Sequence, residues 1–138
     1  MMQNVFSRPV TEKFTGAYLV WSLFWRGLIY GVIDGLLLTV FPWVVTWRAY
    51  DVEKKPLGKK VAFGLMAWLF ILLITTTYHS GYADFRSMKI IQPNIGNTIM
   101  SVPTLVSANP LGSPLCHAML HIAAVIHSPK SEPFGSPA

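Results

Sequence analysis

A single cysteine, Cys116, excludes an intramolecular disulfide, a Cys-x-x-Cys pair and an all-thiolate metal site. Charge is almost as scarce. Only 12% of residues are Asp, Glu, Lys or Arg, about half the share in an average soluble domain. None occurs from Val61 to Tyr78 or from Asn94 to Ser128, so water is a poor solvent for the whole fold. Also missing are a Gly-x-Ser-x-Gly elbow, a His-Glu-x-x-His pair, a phosphate-binding glycine loop, a zinc spacing of any specificity and an internal repeat. A length of 138 residues leaves no room for a second module. No motif resembles that of a known family, and none names a cofactor.

Apolar residues make up 52% of the chain, with a formal net charge of +5. Its basic residues sit beside apolar runs instead of alternating with aromatics along a polar face, which argues against nucleic acid and for a lipid bilayer as partner. Met1 to Lys13 is polar, and the apolar stretch behind it is too long for a signal-peptide core and lacks a clear cleavage site. The chain is therefore expected to stay uncleaved.

From Phe14 to Trp47 only Arg26 and Asp34 are charged. Trp21 with Trp25 and Trp43 with Trp47 are pairs one turn apart, and indole rings favour the headgroup level. Trp25 and Trp43 lie roughly 27 Å apart along a helix, close to a hydrocarbon core. This predicts an interfacial N-terminal segment over residues 1–25, or one extending the same helix outward, and a first span over 26–47, kinked at Pro42. Residues 48–60 hold Arg48 and four lysines and read as a cytoplasmic loop, with the second span over 61–78. The N-terminus and everything after Tyr78 then lie outside the cytoplasm.

Residues 79–129 read as an extracytoplasmic or re-entrant region. Ser80 to Pro93 is expected to be a loop. Beyond it Pro103, Pro110 and Pro114 argue against a straight lipid-facing helix, because each removes a backbone donor where no water replaces it. Ser113 and Pro114 have the form of an N-cap and first helical residue, so Pro114 to His127 is predicted to be a short helix, re-entrant or lying on the membrane surface. Residues 130–138 read as a flexible tail.

Several residues carry possible chemistry. Asp34 lies roughly 12 Å beyond Arg26 along the axis, inside the hydrocarbon layer, where a carboxylate needs a partner or a function. The two are eight residues apart, too far for a direct intrahelical pair. His117 and His121 are four apart and share a helix face, which suits a metal or cofactor completed by His79, Cys116 or Asp84; hydrogen-bonded histidines in a helix interface fit the same spacing. A pair of axial ligands from His79 and His117 is a further arrangement. Asn109 and Pro110 form a turn that either redirects the chain or opens a half-helix end toward an anion or pore. A Ser-His-Asp set can be drawn from Asp84, His121 and Ser101, Ser107 or Ser113, without any signature to support it.

The sequence thus predicts an all-α membrane protein with two transmembrane helices and a proline-broken apolar C-terminal region. Two spans bury little surface, so the first functional expectation is a structural or accessory subunit packed against other membrane subunits or copies of itself, with Asp34 and Arg26 as polar contacts. The second is a membrane-embedded redox or metal-dependent enzyme using His117 and His121. The third is an oligomeric transporter or channel.

Overall fold

In the computed structural model the described residues are Phe6, residues 9–11 and residues 13–127, the side chain of Asp84 excepted. The tail over 130–138 lies outside them. Four helices follow one another: α1, Gly16–Ala49; α2, Leu57–Ser80; α3, Ile91–Ser107; and α4, Gly112–His127. No strand occurs among the described residues. Both α1 and α2 are long and apolar enough to cross a membrane.

The 34 residues of α1 run unbroken, so Gly16 to Trp25 belongs to the same helix as the residues that follow. Pro42 does not end it. The turns at Leu36–Val40 are π-helical, and this wider winding just ahead of Pro42 accommodates the missing donor and the ring. A second π-helical stretch spans Leu23–Ile29, leaving Tyr30–Gly35 as an α-helical segment between two widened ones. Such bulges recur at functional sites.

The loop after α1 is short and fixed. Asp51 takes a left-handed conformation (φ 52°) that aspartate tolerates, and Val52 is fully buried beneath it. Lys54 Nζ lies 2.8 Å from Asp51 Oδ2, which holds that carboxyl below its ordinary range. The chain enters α2 directly after Pro56, so Lys59 and Lys60 belong to its first turn.

The region beyond α2 is more regular than its prolines suggest. Ile91–Ser107 is a 17-residue helix where the sequence pointed to a loop and a broken segment. Pro93 is its third residue, where no intrahelical donor is required, and only Pro103 occupies the interior. The hydroxyl of Ser107 donates to the Pro103 carbonyl at the C-terminal end. Asn109 then closes a tight turn, its Oδ1 accepting the Leu111 N–H at 2.9 Å. The predicted helix at Pro114 is present but starts at Gly112, and the buried Ser113 hydroxyl has no partner, so Asn109 shapes the turn and Ser113 does not cap it.

Consecutive helices are antiparallel, and α4 returns along α1. Three glycines at four-residue spacing, Gly27, Gly31 and Gly35, face Ile122, Ala118 and Pro114, which run in the opposite direction at the same spacing. A Cβ on Gly31 would stand 2.6 Å from Ala118 Cα, and one on Gly35 2.5 Å from Pro114 Cα, so the two backbones meet as closely as helices can. On the other side α2 packs on α3, with Trp68 Nε1 donating to Thr98 Oγ1 at 3.1 Å. Below these contacts Trp43 and Val40 of α1 pack on Ala67 of α2.

Polar residues are as frequent in the interior as large apolar ones. Among the described residues the buried set contains Ser22, Asp34, Thr39, Thr46, Thr75, Asn97, Ser101, Thr104, Ser113 and His117, while Val20, Leu65, Leu69, Leu73, Ile99, Leu115 and Met119 are each more than half exposed. So many large apolar side chains on the exterior are uncommon for a water-soluble monomer.

Candidate functional site

The glycine seam between α1 and α4 puts Asp34 opposite His121. Only 7% of Asp34 is exposed, and its Oδ2 accepts from His121 Nε2 at 3.1 Å. The other oxygen, Oδ1, accepts from the Tyr78 hydroxyl of α2 at 3.3 Å. Tyr78 belongs to a triangle of hydroxyls, 2.6 Å from Tyr30 and 3.2 Å from Tyr82, with Tyr30 and Tyr82 3.3 Å apart. The carboxylate expected to seek a partner therefore finds two within its own chain.

One turn before His121, His117 is buried and its Nε2 donates to Asn97 Oδ1 of α3 at 2.8 Å. Asn97 is the hub of a second network. Its Nδ2 donates to Thr75 Oγ1 at 2.6 Å, and its Oδ1 also accepts from Thr39 Oγ1 at 3.2 Å, so all four helices meet at one side chain and its neighbours. The amide is thereby oriented with its oxygen toward His117. His79 donates from Nδ1 to the Thr75 carbonyl at 2.9 Å, which leaves Nε2 with the lone pair of the neutral ring.

These groups surround a cavity of about 190 Å³ between the helices. Asp34, His79, Asn97, His117 and His121 contribute its polar surface, and Tyr30, Tyr78, Tyr82, Phe85, Leu38 and Leu120 the remainder of the wall with Pro93. One carboxylate oxygen of Asp34 and one nitrogen each of His117 and His121 lie within 4.8 Å of one another. Ligand atoms on a single tetrahedral ion at about 2.1 Å stand roughly 3.4 Å apart, so small side-chain rotations would bring the three onto one ion. Two imidazoles and a carboxylate suit zinc, iron or manganese, and leave coordination positions open.

The sequence-predicted residues divide clearly. Asp34, His117, His121 and His79 come together at the cavity. Arg26 does not join them; it is exposed, with its guanidinium 5.7 Å from the centre of the Phe14 ring. Asn109 and Pro110 serve the turn. Cys116 is outside the ligand cluster although it precedes His117, because successive helical residues point about 100° apart. His127 faces elsewhere, edge-on to Phe6 at 5.0 Å. Ser101 and Ser107 donate to the carbonyls of Thr98 and Pro103, and His121 pairs with Asp34, so the drawn Ser-His-Asp set does not assemble from them.

Sequence reasoning missed Asn97, Thr39, Thr75 and the three tyrosines. The signal for the seam was present, since Gly27, Gly31 and Gly35 form a Gly-x-x-x-Gly-x-x-x-Gly run, the pattern that lets two helices approach in lipid. Comparison with protein families, with curated proteins and with solved structures finds no match for this chain.

Proposed function

We propose that the chain is a metal-dependent enzyme embedded in a lipid bilayer, with its ion held by Asp34, His117 and His121. The observation that carries this reading is the convergence of three ligand atoms within 4.8 Å, with Asp34 and His121 87 residues apart in sequence, at the wall of a cavity. Ion-ligating carboxylates and imidazoles are themselves oriented by hydrogen bonds. Tyr78 on Asp34 Oδ1 has that relation, and Oδ2 would meet the ion once the His121 Nε2 hydrogen bond it now accepts is exchanged for shared coordination. Open coordination positions facing the cavity are what separates a reactive site from a structural one.

The bilayer part rests on the apolar exterior, the polar interior and the two long helices. In this orientation the lysines around Pro56 face the cytoplasm, and the α3–α4 hairpin enters from the opposite side and returns to it. Such a hairpin satisfies its backbone within protein. The accessory-subunit expectation rested on two spans burying little surface and on Asp34 and Arg26 as polar contacts to other subunits. Since His121 and Tyr78 partner Asp34 within the chain, the enzymatic reading now has more support.

Metal analysis of the detergent-purified protein tests it. About one equivalent of a first-row transition ion is expected, lost in a His117→Ala, His121→Ala double variant that keeps its helical circular dichroism. Free ion at a hundredfold excess over its dissociation constant adds about 2.7 kcal/mol of stability, visible as a rise in melting temperature of several degrees. A folded protein that binds no such ion and shows no thermal response to zinc, iron or manganese refutes the proposal.

A further inference from the structure

We infer that the cavity receives the oxygen-bearing head of an uncharged, lipophilic molecule; this deepens the metal-enzyme reading by naming a substrate class, such as a long-chain alcohol or ketone. The first ground is charge. Neither lysine nor arginine lines the cavity, and its only formally charged residue is the acidic Asp34. Even with a divalent ion on Asp34 the site would carry one net positive charge, less than a phosphate monoester head brings, and no lysine or arginine stands at the wall to receive the remainder.

The second ground is the hydroxyl triangle. Tyr78 donates to Asp34 and stands 2.6 Å from Tyr30 and 3.2 Å from Tyr82, with Tyr30 and Tyr82 3.3 Å apart. A phenolic hydroxyl both donates and accepts, so this wall can offer an alcohol or a carbonyl oxygen hydrogen bonds in exchange for those within the triangle. Its remaining surface is aromatic and aliphatic, from Phe85, Leu38 and Leu120.

The third ground is size and access. About 190 Å³ is smaller than the roughly 300 Å³ at which pockets begin to enclose a drug-sized molecule, so only the head of a long molecule fits. Tyr30 both lines the cavity and is 39% exposed, and Ile33, on the next turn of α1, is 50% exposed. An acyl tail leaving past Tyr30 therefore meets an apolar outer surface.

Photolabelling tests this without depending on the ion. The full chain in phosphatidylcholine nanodiscs is irradiated with a ten-carbon alkanol carrying a diazirine, or with the matching alkyl phosphate, and the adducts are mapped by mass spectrometry. The alkanol is expected to label peptides containing Tyr30, Tyr78, Tyr82 or Phe85, to be displaced by excess decanol but not ethanol, and to exceed the phosphate by at least about tenfold. Leu120→Trp, which fills the cavity from α4, should abolish that labelling while leaving helical content unchanged; Leu120→Phe provides a milder filling if the tryptophan variant does not fold. Equal or stronger labelling by the phosphate, displacement by ethanol, or adducts spread evenly over the outer surface would overturn the inference. Metal content is measured on the same samples. A metal-free protein with specific alkanol labelling removes the metal reading alone, and a metal-loaded protein without it removes the substrate class alone.

Discussion

Replacing Gly31 by alanine would put a methyl carbon 2.6 Å from Ala118 Cα and 2.9 Å from both Ala118 N and the His117 carbonyl oxygen. Ordinary carbon contacts lie at about 3.5–4.0 Å, so α4 must withdraw by about 1 Å. All three obstructing atoms are backbone, and no rotamer change relieves them. Overpacking of this kind costs about 1–3 kcal/mol, against which alanine recovers about 0.8–1.0 kcal/mol of helix propensity. Gly64→Ala supplies the control, because nothing lies within 4 Å of its added carbon and only the propensity gain applies. The two variants should therefore differ by about 1–3 kcal/mol, or about 3–15 °C in melting temperature for a chain of this size. Withdrawal also carries His117 and His121 away from Asp34, so ion affinity should fall about tenfold, equivalent to about 1.4 kcal/mol. Thermal unfolding in detergent and an ion titration read the two effects separately. Equal stability of the Gly31 and Gly64 variants would refute the close-packed seam, and a destabilised Gly31→Ala with unchanged affinity would refute its role in aligning the ligands.

Other substitutions separate the parts of the site. Gly35→Ala, obstructed by Pro114 backbone at 2.5 Å, should be at least as harmful as Gly31→Ala, whereas Gly27→Ala meets the Ile122 Cγ1 side-chain atom first, at 2.9 Å, and should be milder in the same melting experiment. Asn97→Leu removes the partner of His117, Thr75 and Thr39 together. With about 1–3 kcal/mol for each buried group left unpaired, denaturant unfolding should reveal a loss of several kcal/mol, and a loss below about 1 kcal/mol would contradict the hub role. Tyr78→Phe takes one hydrogen bond from Asp34 and should cost about 1 kcal/mol while leaving the metal stoichiometry intact; a metal-free variant would show that Tyr78 does more than orient the carboxylate.

Part of this site was readable before the fold was known, and the limits follow from the physics. The shared face of His117 and His121 is a property of one helix, so four-residue spacing suffices to find it. Asp34 declared its need for a partner because a carboxylate in an apolar run has few inexpensive environments. Which partner it takes depends on α4 lying along α1, a long-range contact that only the matching runs Gly27, Gly31, Gly35 and Pro114, Ala118, Ile122 could have suggested. The three tyrosines were not legible, because nothing local distinguishes a hydroxyl at the outer surface from one turned inward. For the prolines after α2, position mattered more than number: Pro93 and Pro114 are each the third residue of a helix, Pro110 belongs to the turn, and of these only Pro103 deprives a helix interior of a donor.

Hydrophobic periodicity gave little help, and the bilayer surroundings proposed for this chain supply a reason. On α2 the exposed stripe is Leu65, Leu69 and Leu73 and the buried stripe is Ala67, Ile71 and Thr75, so the more hydrophobic face is the outer one. The same inversion holds on α3, where Val102 and Ile99 face outward while Asn97, Ser101 and Thr104 are buried. In water the buried face is found by following large apolar residues at helical spacing. In lipid those residues have no reason to turn inward, and helices associate through close approach and hydrogen bonds. The informative stripe is then the small and polar one. Followed along this chain, it leads through Gly27, Gly31, Asp34 and Gly35 to Thr75, Asn97, Thr104, Ser113 and His117, and so to the cavity itself.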